Sequence, residues 1–270
     1  MHPIEHLRYV ARAQGADPSS LVEETAHALG SLHFDPSGLV VACRRIVERH
    51  PFTGALWWLC ANVVTSAEPF EAVWELADEI RSDCTGAELA AELPDDATVV
   101  TIGDPDVVGD GLIRRGDVQV LALDAGYTAT SFVRRLERYD VDVEAVDAGV
   151  AGAVVRHADV VLVEALAIDS GRLLAPMGSS TIAAAASAFG IESWIVAGVG
   201  RRLPSGFLDA MVAKVGTLAE EVDPWGLDVE VLPTSMFTHV VGPHGKVPMG
   251  PPAIVAECPM AHELLRPSHI

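Results

Sequence analysis

The stretch ADVVLVEALAIDSGRLLAPMGSSTIAAAASAFGIESWIVAG, residues 158–198, decides the fold. It opens and closes on short runs of β-branched and apolar residues, and between them SSTIAAAASAFG has the length and composition of a helix. A strand, a helix and a strand in succession make a crossover unit, whose two strands run parallel in one sheet. Before the helix the chain passes Glu164, Asp169, Gly171 and Arg172, then enters residues that are almost all small. Either a binding site or a tight packing joint would call for that pattern.

Outward from this unit the same texture holds from Pro94 onward. ATVVTIG, VQVLALD, VDVEAVD, ADVVLVEA, ESWIVAG and LDVEVLP read as strands, with helices such as TATSFVRRLERY, VAGAVVRH and SGFLDAMVAKVG between them. Runs buried on both faces and alternating with helices predict a doubly wound, Rossmann-like parallel sheet of six strands in an α/β fold. Residues 1–90 differ: IEHLRYVARA, SLVEETAHALGSL, SGLVVACRRIVER, GALWWLCANVV and FEAVWELADEIRS carry apolar residues at helical spacing, with Pro18, Pro36 and Pro69 at first turns. The expected organisation is a helical subdomain over 1–90, a Rossmann-like domain over 91–250 and an irregular, partly disordered C-terminal arm over 251–270. Trp57 and Trp58 share a helix with Leu56, Leu59 and Val63 and read as packing residues; His239 and His244 read as surface or core histidines.

The formal charge of -20, from 38 acids against 18 bases, repels phosphate backbones, and the arginine pairs at 44–45, 114–115, 134–135 and 201–202 each have acids nearby. No nucleic-acid partner is expected. With no apolar run of about 18 residues and no basic leader before an apolar segment, neither a membrane span nor a signal peptide is expected, and a cytoplasmic location follows. Cys43, Cys60, Cys84 and Cys258 lack any CxxC or neighbouring His spacing, so no metal site is expected. GxGxxG and GxxxxGK[ST] are absent too, and no cofactor is expected.

In an open parallel sheet, sites lie beyond the carboxyl ends of the strands. Here those ends read Gly103-Asp104-Pro105-Asp106, Asp124-Ala125-Gly126-Tyr127, Asp147-Ala148-Gly149, Glu164-Ala165-Leu166 and Ala197-Gly198-Val199-Gly200. Each acid either caps a following helix or faces a shared crevice as an acid, base or hydroxyl acceptor; as a set they are expected to converge. Gly198-Val199-Gly200-Arg201-Arg202 exposes backbone N–H groups beside two guanidiniums, and Gly178-Ser179-Ser180 opens a helix whose N-terminus suits an anion. An ordinary turn and an ordinary N-cap are the plain alternatives.

Taken in order, TVVTIGDPD, LDAGYTATSF, VEAVDAGVAGAVV, the 158–198 stretch and VEVLPTSMFTHVVGPHG resemble the initiation factor 2B alpha/beta/delta family over residues 95–248. That family includes the methylthioribose-1-phosphate and ribose-1,5-bisphosphate isomerases. In the isomerases the first strand runs T-H-C-N-S-G with a catalytic cysteine, and a later one ends G-A-D with a catalytic aspartate, followed by N-G-D and N-K-I-G-T. The resemblance puts Gly103 in the cysteine's place and Leu166 in the aspartate's, and turns N-K-I-G-T into Ala175-Pro176-Met177-Gly178-Ser179. An arginine of the E-T-R-P segment is likewise replaced near Gly126. Glycine and leucine cannot move protons.

The resemblance therefore implies a noncatalytic or regulatory member that binds a sugar phosphate or nucleotide through Gly103, Asp124, Asp147, Gly178, Ser179, Ser180 and Arg201. It also implies a homodimer or higher oligomer paired through the α/β domain. An aldose-ketose isomerase acting on a phosphorylated sugar is the second expectation, with Glu164 or Asp104 as proton carrier and Arg201, Arg202 or the Ser179-Ser180 helix start holding phosphate. A purely structural interaction module is the third.

Overall fold

The computed structural model describes residues 18–31, 36–124, 129–250 and 253–266. The helix expected at IEHLRYVARA lies outside the described residues. Five helices come first: α1 (Pro18–Gly30), α2 (Pro36–Arg49), α3 (Gly54–Thr65), α4 (Pro69–Arg81) and α5 (Thr85–Glu92). Val22, Ala26 and Leu29 on α1, and Val73, Ala77 and Ile80 on α4, fall at four- and three-residue steps and are all buried. Helix α3 is apolar nearly all round, from Leu56 through Ala61 to Val63, and so sits at the centre of this layer with Trp57 and Trp58 buried.

The main sheet takes strands in the order β10-β9-β7-β4-β1-β2-β3. Its parallel members are β1 (Thr98–Ile102), β2 (Gln119–Asp124), β3 (Asp142–Asp147), β4 (Val160–Glu164), β7 (Glu192–Val196) and β9 (His239–Gly242); β10 (Gly245–Pro248) joins β9 antiparallel. Central strands β4 and β1 are buried along almost their whole length, as two-sided coverage requires. Edge strand β3 exposes Asp142, Glu144 and Asp147, charges that protect its open side. Helices α6 (Asp106–Arg115), α7 (Ala129–Glu137), α8 (Ala151–Val155), α9 (Ser179–Phe189) and α10 (Ser205–Glu221) complete the described α-helices.

One strand expectation is corrected. LDVEVLP does not join the parallel sheet: β8 (Val229–Pro233) pairs antiparallel with β6 (Arg172–Pro176), which pairs with β5 (Ala167–Ile168) in a separate three-stranded sheet. Its burial does not alternate, with Val229 and Leu232 buried and Glu230 and Val231 half-buried, so the run reads like a strand covered on both faces although it pairs antiparallel. The sixth parallel strand is the four-residue β9, in THVVG.

Much of the opening stretch is a structural joint. The β5–β6 turn is tied by Asp169, whose Oδ1 accepts the N–H groups of Gly171 at 2.9 Å and Arg172 at 2.7 Å, while Oδ2 accepts Arg172 Nη2 at 2.6 Å. Burial alone would raise the Asp169 pKa, but the guanidinium of Arg172 and the two N–H donors outweigh it and hold the carboxyl below its ordinary value. Arg172 also donates to Asp209 on α10 at 2.7 Å, anchoring that helix to the small sheet. Beyond it, Ile182, Ala183 and Ala186 of α9 are fully buried against Val161, Val163 and Ile195; their small neighbours let the helix lie close to the sheet.

One buried cluster joins helices α1–α4 to the rest, while Leu89 of α5 packs in another with β1 and α6. The first contains Leu56, Trp58 and Val73 together with Leu174, Phe207, Met211, Val229, Ala261 and Leu264. The segment 253–266 is mostly irregular, with a short 3-10 turn at His262–Leu265, yet it inserts Ala261 and Leu264 into that cluster. Residues 251, 252 and 267–270 of the expected arm lie outside the described residues.

Candidate functional site

Parallel order brings the carboxyl ends of β4, β1, β2 and β3 side by side. Three of the acids there serve nearby N–H or O–H donors. Asp147 Oδ1 accepts Gly149 N at 2.7 Å, Asp124 Oδ1 accepts Ala129 N at the start of α7 at 3.3 Å, and Asp104 Oδ2 accepts Ser131 Oγ at 2.5 Å. Asp124 and Asp147 are register partners across β2 and β3, whereas residues 125–128, including Gly126, lie outside the described residues.

Glu164 is different. It is 7% exposed, and its Oε2 accepts Val108 N at 3.0 Å, on the first turn of α6. That turn concentrates unpaired N–H groups and the positive end of the helix dipole. Burial pushes the carboxyl up to about 7, against the charge of Arg201 and the Val108 N–H, with Asp106 adding to the rise and Arg135 opposing it. Arg201 itself is 4% exposed, and its Nε has no hydrogen-bond partner. Its backbone is fixed by Ile168 N donating to Arg201 O at 2.8 Å and Arg201 N donating to Gly198 O at 3.2 Å. Arg135 reaches over from α7, donating to Asp106 Oδ1 at 3.2 Å and to Pro105 O. A buried guanidinium beside a helix N-terminus has the chemistry to pair with an anion; the Nε atoms of Arg135 and Arg202 are likewise without a hydrogen-bond partner.

Between α1, α4, α5 and α6 lies a cavity of about 340 Å³ whose lining includes Glu23, Arg81, Asp83, Asp106, Asp110 and Arg114. Asp106 belongs to both the cavity wall and the charged cluster around Glu164.

The other expected anion donors are engaged by carboxylates of the chain. In the Gly198–Arg202 turn, Asp83 Oδ2 accepts Val199 N at 2.9 Å and Glu257 Oε2 accepts Gly200 N at 2.8 Å. Arg202 pairs with Glu257 at 2.7 Å. At the start of α9, Glu230 Oε1 accepts Ser180 N at 2.9 Å, and Ser179 Oγ donates to Pro176 O at 2.7 Å. Gly178 precedes α9 at φ +95, so close to the tip of β1 that an added Cβ would stand 2.7 Å from Ile102 Cδ1. Gly103 is also left-handed, at φ +77, a conformation that disfavours any side chain there. Leu166 accepts Gly54 N through its carbonyl at 3.0 Å and packs against the helical core.

Sequence reasoning missed Asp106, Arg135 and the Val108 N–H. The one available signal was Asp104-Pro105-Asp106, a helix start directly after a strand. Glu257 carried no signal, because only the fold returns it to the Gly198–Arg202 turn. Among the described residues, no helix is long and apolar enough to cross a membrane.

No protein-family model matches the chain, and no curated protein matches it. Solved structures do. The Pyrococcus horikoshii OT3 translation initiation factor eIF-2B superposes with a TM-score of 0.76 at 16% identity, covering 94% of this chain and 98% of that one. The tetrameric eIF2B-beta2-delta2 complex from Chaetomium thermophilum gives 0.71 at 13% identity, over 92% and 90%. The eIF2B delta subunit from Chaetomium thermophilum gives 0.64 at 19%, over 89% and 96%. At nearly full length in both directions, the chain has the fold of the eIF2B subunits.

Proposed function

We propose that this protein is a cytoplasmic, oligomeric eIF2B-like protein that binds a phosphorylated small molecule at the carboxyl edge of its main sheet without transforming it. One observation carries the reading: the Arg201 guanidinium is buried with its Nε unpartnered, next to the first turn of α6. Leaving a buried donor unpaired costs about 1–3 kcal/mol, a cost that a bound anion removes. The absence of proton-transferring side chains at Gly103 and Leu166 supports binding over turnover, and the left-handed backbone at Gly103 speaks against any side chain there. The tetrameric assembly named for the C. thermophilum neighbour motivates the proposal of a homodimer or larger assembly here.

Thermal melting with a panel of sugar phosphates and nucleotides tests the binding. At least one is expected to raise Tm at millimolar concentration in the wild type and not in Arg201→Met. Uniformly flat melting curves would favour a purely structural interaction module.

A second reading rests on Glu164. A carboxyl held near 7 within this cluster has the protonation behaviour of a general acid or base. Incubation with ribose 1,5-bisphosphate and methylthioribose 1-phosphate separates the two: no ketose is expected, and turnover abolished by Glu164→Gln would establish the isomerase instead.

A further inference from the structure

Three places in this structure offer backbone N–H groups of the kind that hold phosphates, and each is occupied by a carboxylate of the chain. Glu230 sits on α9, Asp83 and Glu257 on the Gly198–Arg202 turn, and Glu164 on α6. Among these, Glu164 alone is buried; the other three are partly open to solvent. It also faces Arg201, which is 4% exposed and has an unpartnered Nε, whereas Arg202, whose Nε is likewise unpartnered, already gives its Nη1 to Glu257. Glu164 thus stands where an anion's own oxygens would be received.

Resting on the reading above, we propose that Glu164 is a built-in competitor for the anion. Its carboxylate holds the α6 N-terminus and faces Arg201, and a dianion takes over both donors only as Glu164 accepts a proton from solvent. Binding therefore strengthens as pH falls.

The charges facing this carboxyl come from every element packed around it. Arg201 approaches from the turn after β7, Asp106 from α6 and Arg135 from α7, the last two paired at 3.2 Å. Arg135 and Asp106 act in opposite directions on Glu164, which among the described residues leaves Arg201 as the cation to be shared between Glu164 and an incoming anion. In a space this dry, a dianion and an ionised carboxylate repel strongly, and protonation is the way out. Burial already holds Glu164 at about 7, so the exchange falls within the range a cell experiences. Turning the carboxyl away from Val108 once it is neutral frees that N–H for the ligand. The proton taken up on binding is returned to solvent on release, and no other reactant is needed.

Inorganic sulfate is the probe, because its charge is constant over the range that matters. Titration calorimetry on the full chain at pH 6 and pH 8, in two buffers of different ionisation heat and at fixed ionic strength, reads both affinity and protons exchanged. Wild type is expected to bind sulfate about tenfold more weakly at pH 8 than at pH 6, taking up close to one proton at pH 8. Glu164→Gln should bind equally at both pH values, with no proton uptake, and more tightly than wild type at pH 8.

Equal wild-type affinity at the two pH values with no proton uptake overturns the competitor role while leaving the anion site intact. Glu164→Gln retaining the wild-type pH dependence overturns it as well. If neither protein binds sulfate at tens of millimolar, the anion site itself fails and this inference with it. The proton count on wild type needs no variant, so a misfolded Glu164→Gln would not shield the proposal.

Discussion

Glu164→Gln should remove a loss of stability that the wild type suffers as pH rises from 5 to 8. The sign follows from the direction of the shift. Burial raises the folded-state pKa to about 7 from an ordinary 4.5, so the folded state binds the proton more tightly than the unfolded chain does. Between those two values unfolding releases a proton, and stability falls as pH rises until it levels off above the folded pKa. Integrating over pH 5 to pH 8 gives a loss of roughly 2 to 3 kcal/mol from this group. Glutamine retains an oxygen to accept the Val108 N–H but cannot ionise, so that slope disappears. Arg201, Asp106 and Arg135 are common to both proteins and drop out of the difference. Urea unfolding of both proteins at pH 5, 6, 7 and 8, with m-values checked for constancy, gives the measurement. Should the two stability profiles run parallel to within about 0.5 kcal/mol over that range, the burial and charge environment assigned to Glu164 is wrong.

Further outcomes follow from other parts of the fold. Asp169→Ala removes the acceptor for two N–H groups and the Arg172 guanidinium, and is expected to cost about 2–3 kcal/mol in urea unfolding. Gly103→Cys puts a side chain on a φ of +77; denaturation should show a loss of about 1–2 kcal/mol, and isomerase assays no gain of turnover. Glu257→Ala removes the carboxylate contacts to Gly200 and Arg202 and leaves only the main-chain bond from Glu257 N to Arg202 O, so limited proteolysis should cut within residues 253–266 several-fold faster than in wild type. Iodoacetamide at pH 8 should label exposed Cys84 first. Cys258, whose thiol burial and the nearby Glu257 push up to about 12, should react slowly; Cys43 and Cys60, fully buried, with burial and then Cys43 itself raising the Cys60 thiol, should react only after unfolding.

The central sheet was legible because β1, β4 and β7 are apolar on both faces, which only strands covered on two sides tolerate. The seating of α9 was legible too, in alanines that leave room for close approach. The small sheet was not: β5 is two residues long, and β6 gains its sense only from pairing with β8, more than fifty residues later. At the site, the residue types at the strand ends could be read directly, but not their fates. Asp124, Asp147 and Glu164 look alike in sequence; the difference is that α6 and the Gly198–Arg202 turn seal the third from water while the others keep partial or full exposure. Long-range burial of this kind has no local signature.

The core beneath α2 and α3 has a consequence for how the molecule folds. It joins Leu21 and Val22 to Ala261 and Leu264, residues separated by most of the described sequence. Arg44 on α2 likewise donates to the carbonyl of Glu263, which it meets at 2.5 Å. The seam between these distant segments closes only by a long-range contact, so this part of the core carries a high loop-closure cost and is expected to form late in folding.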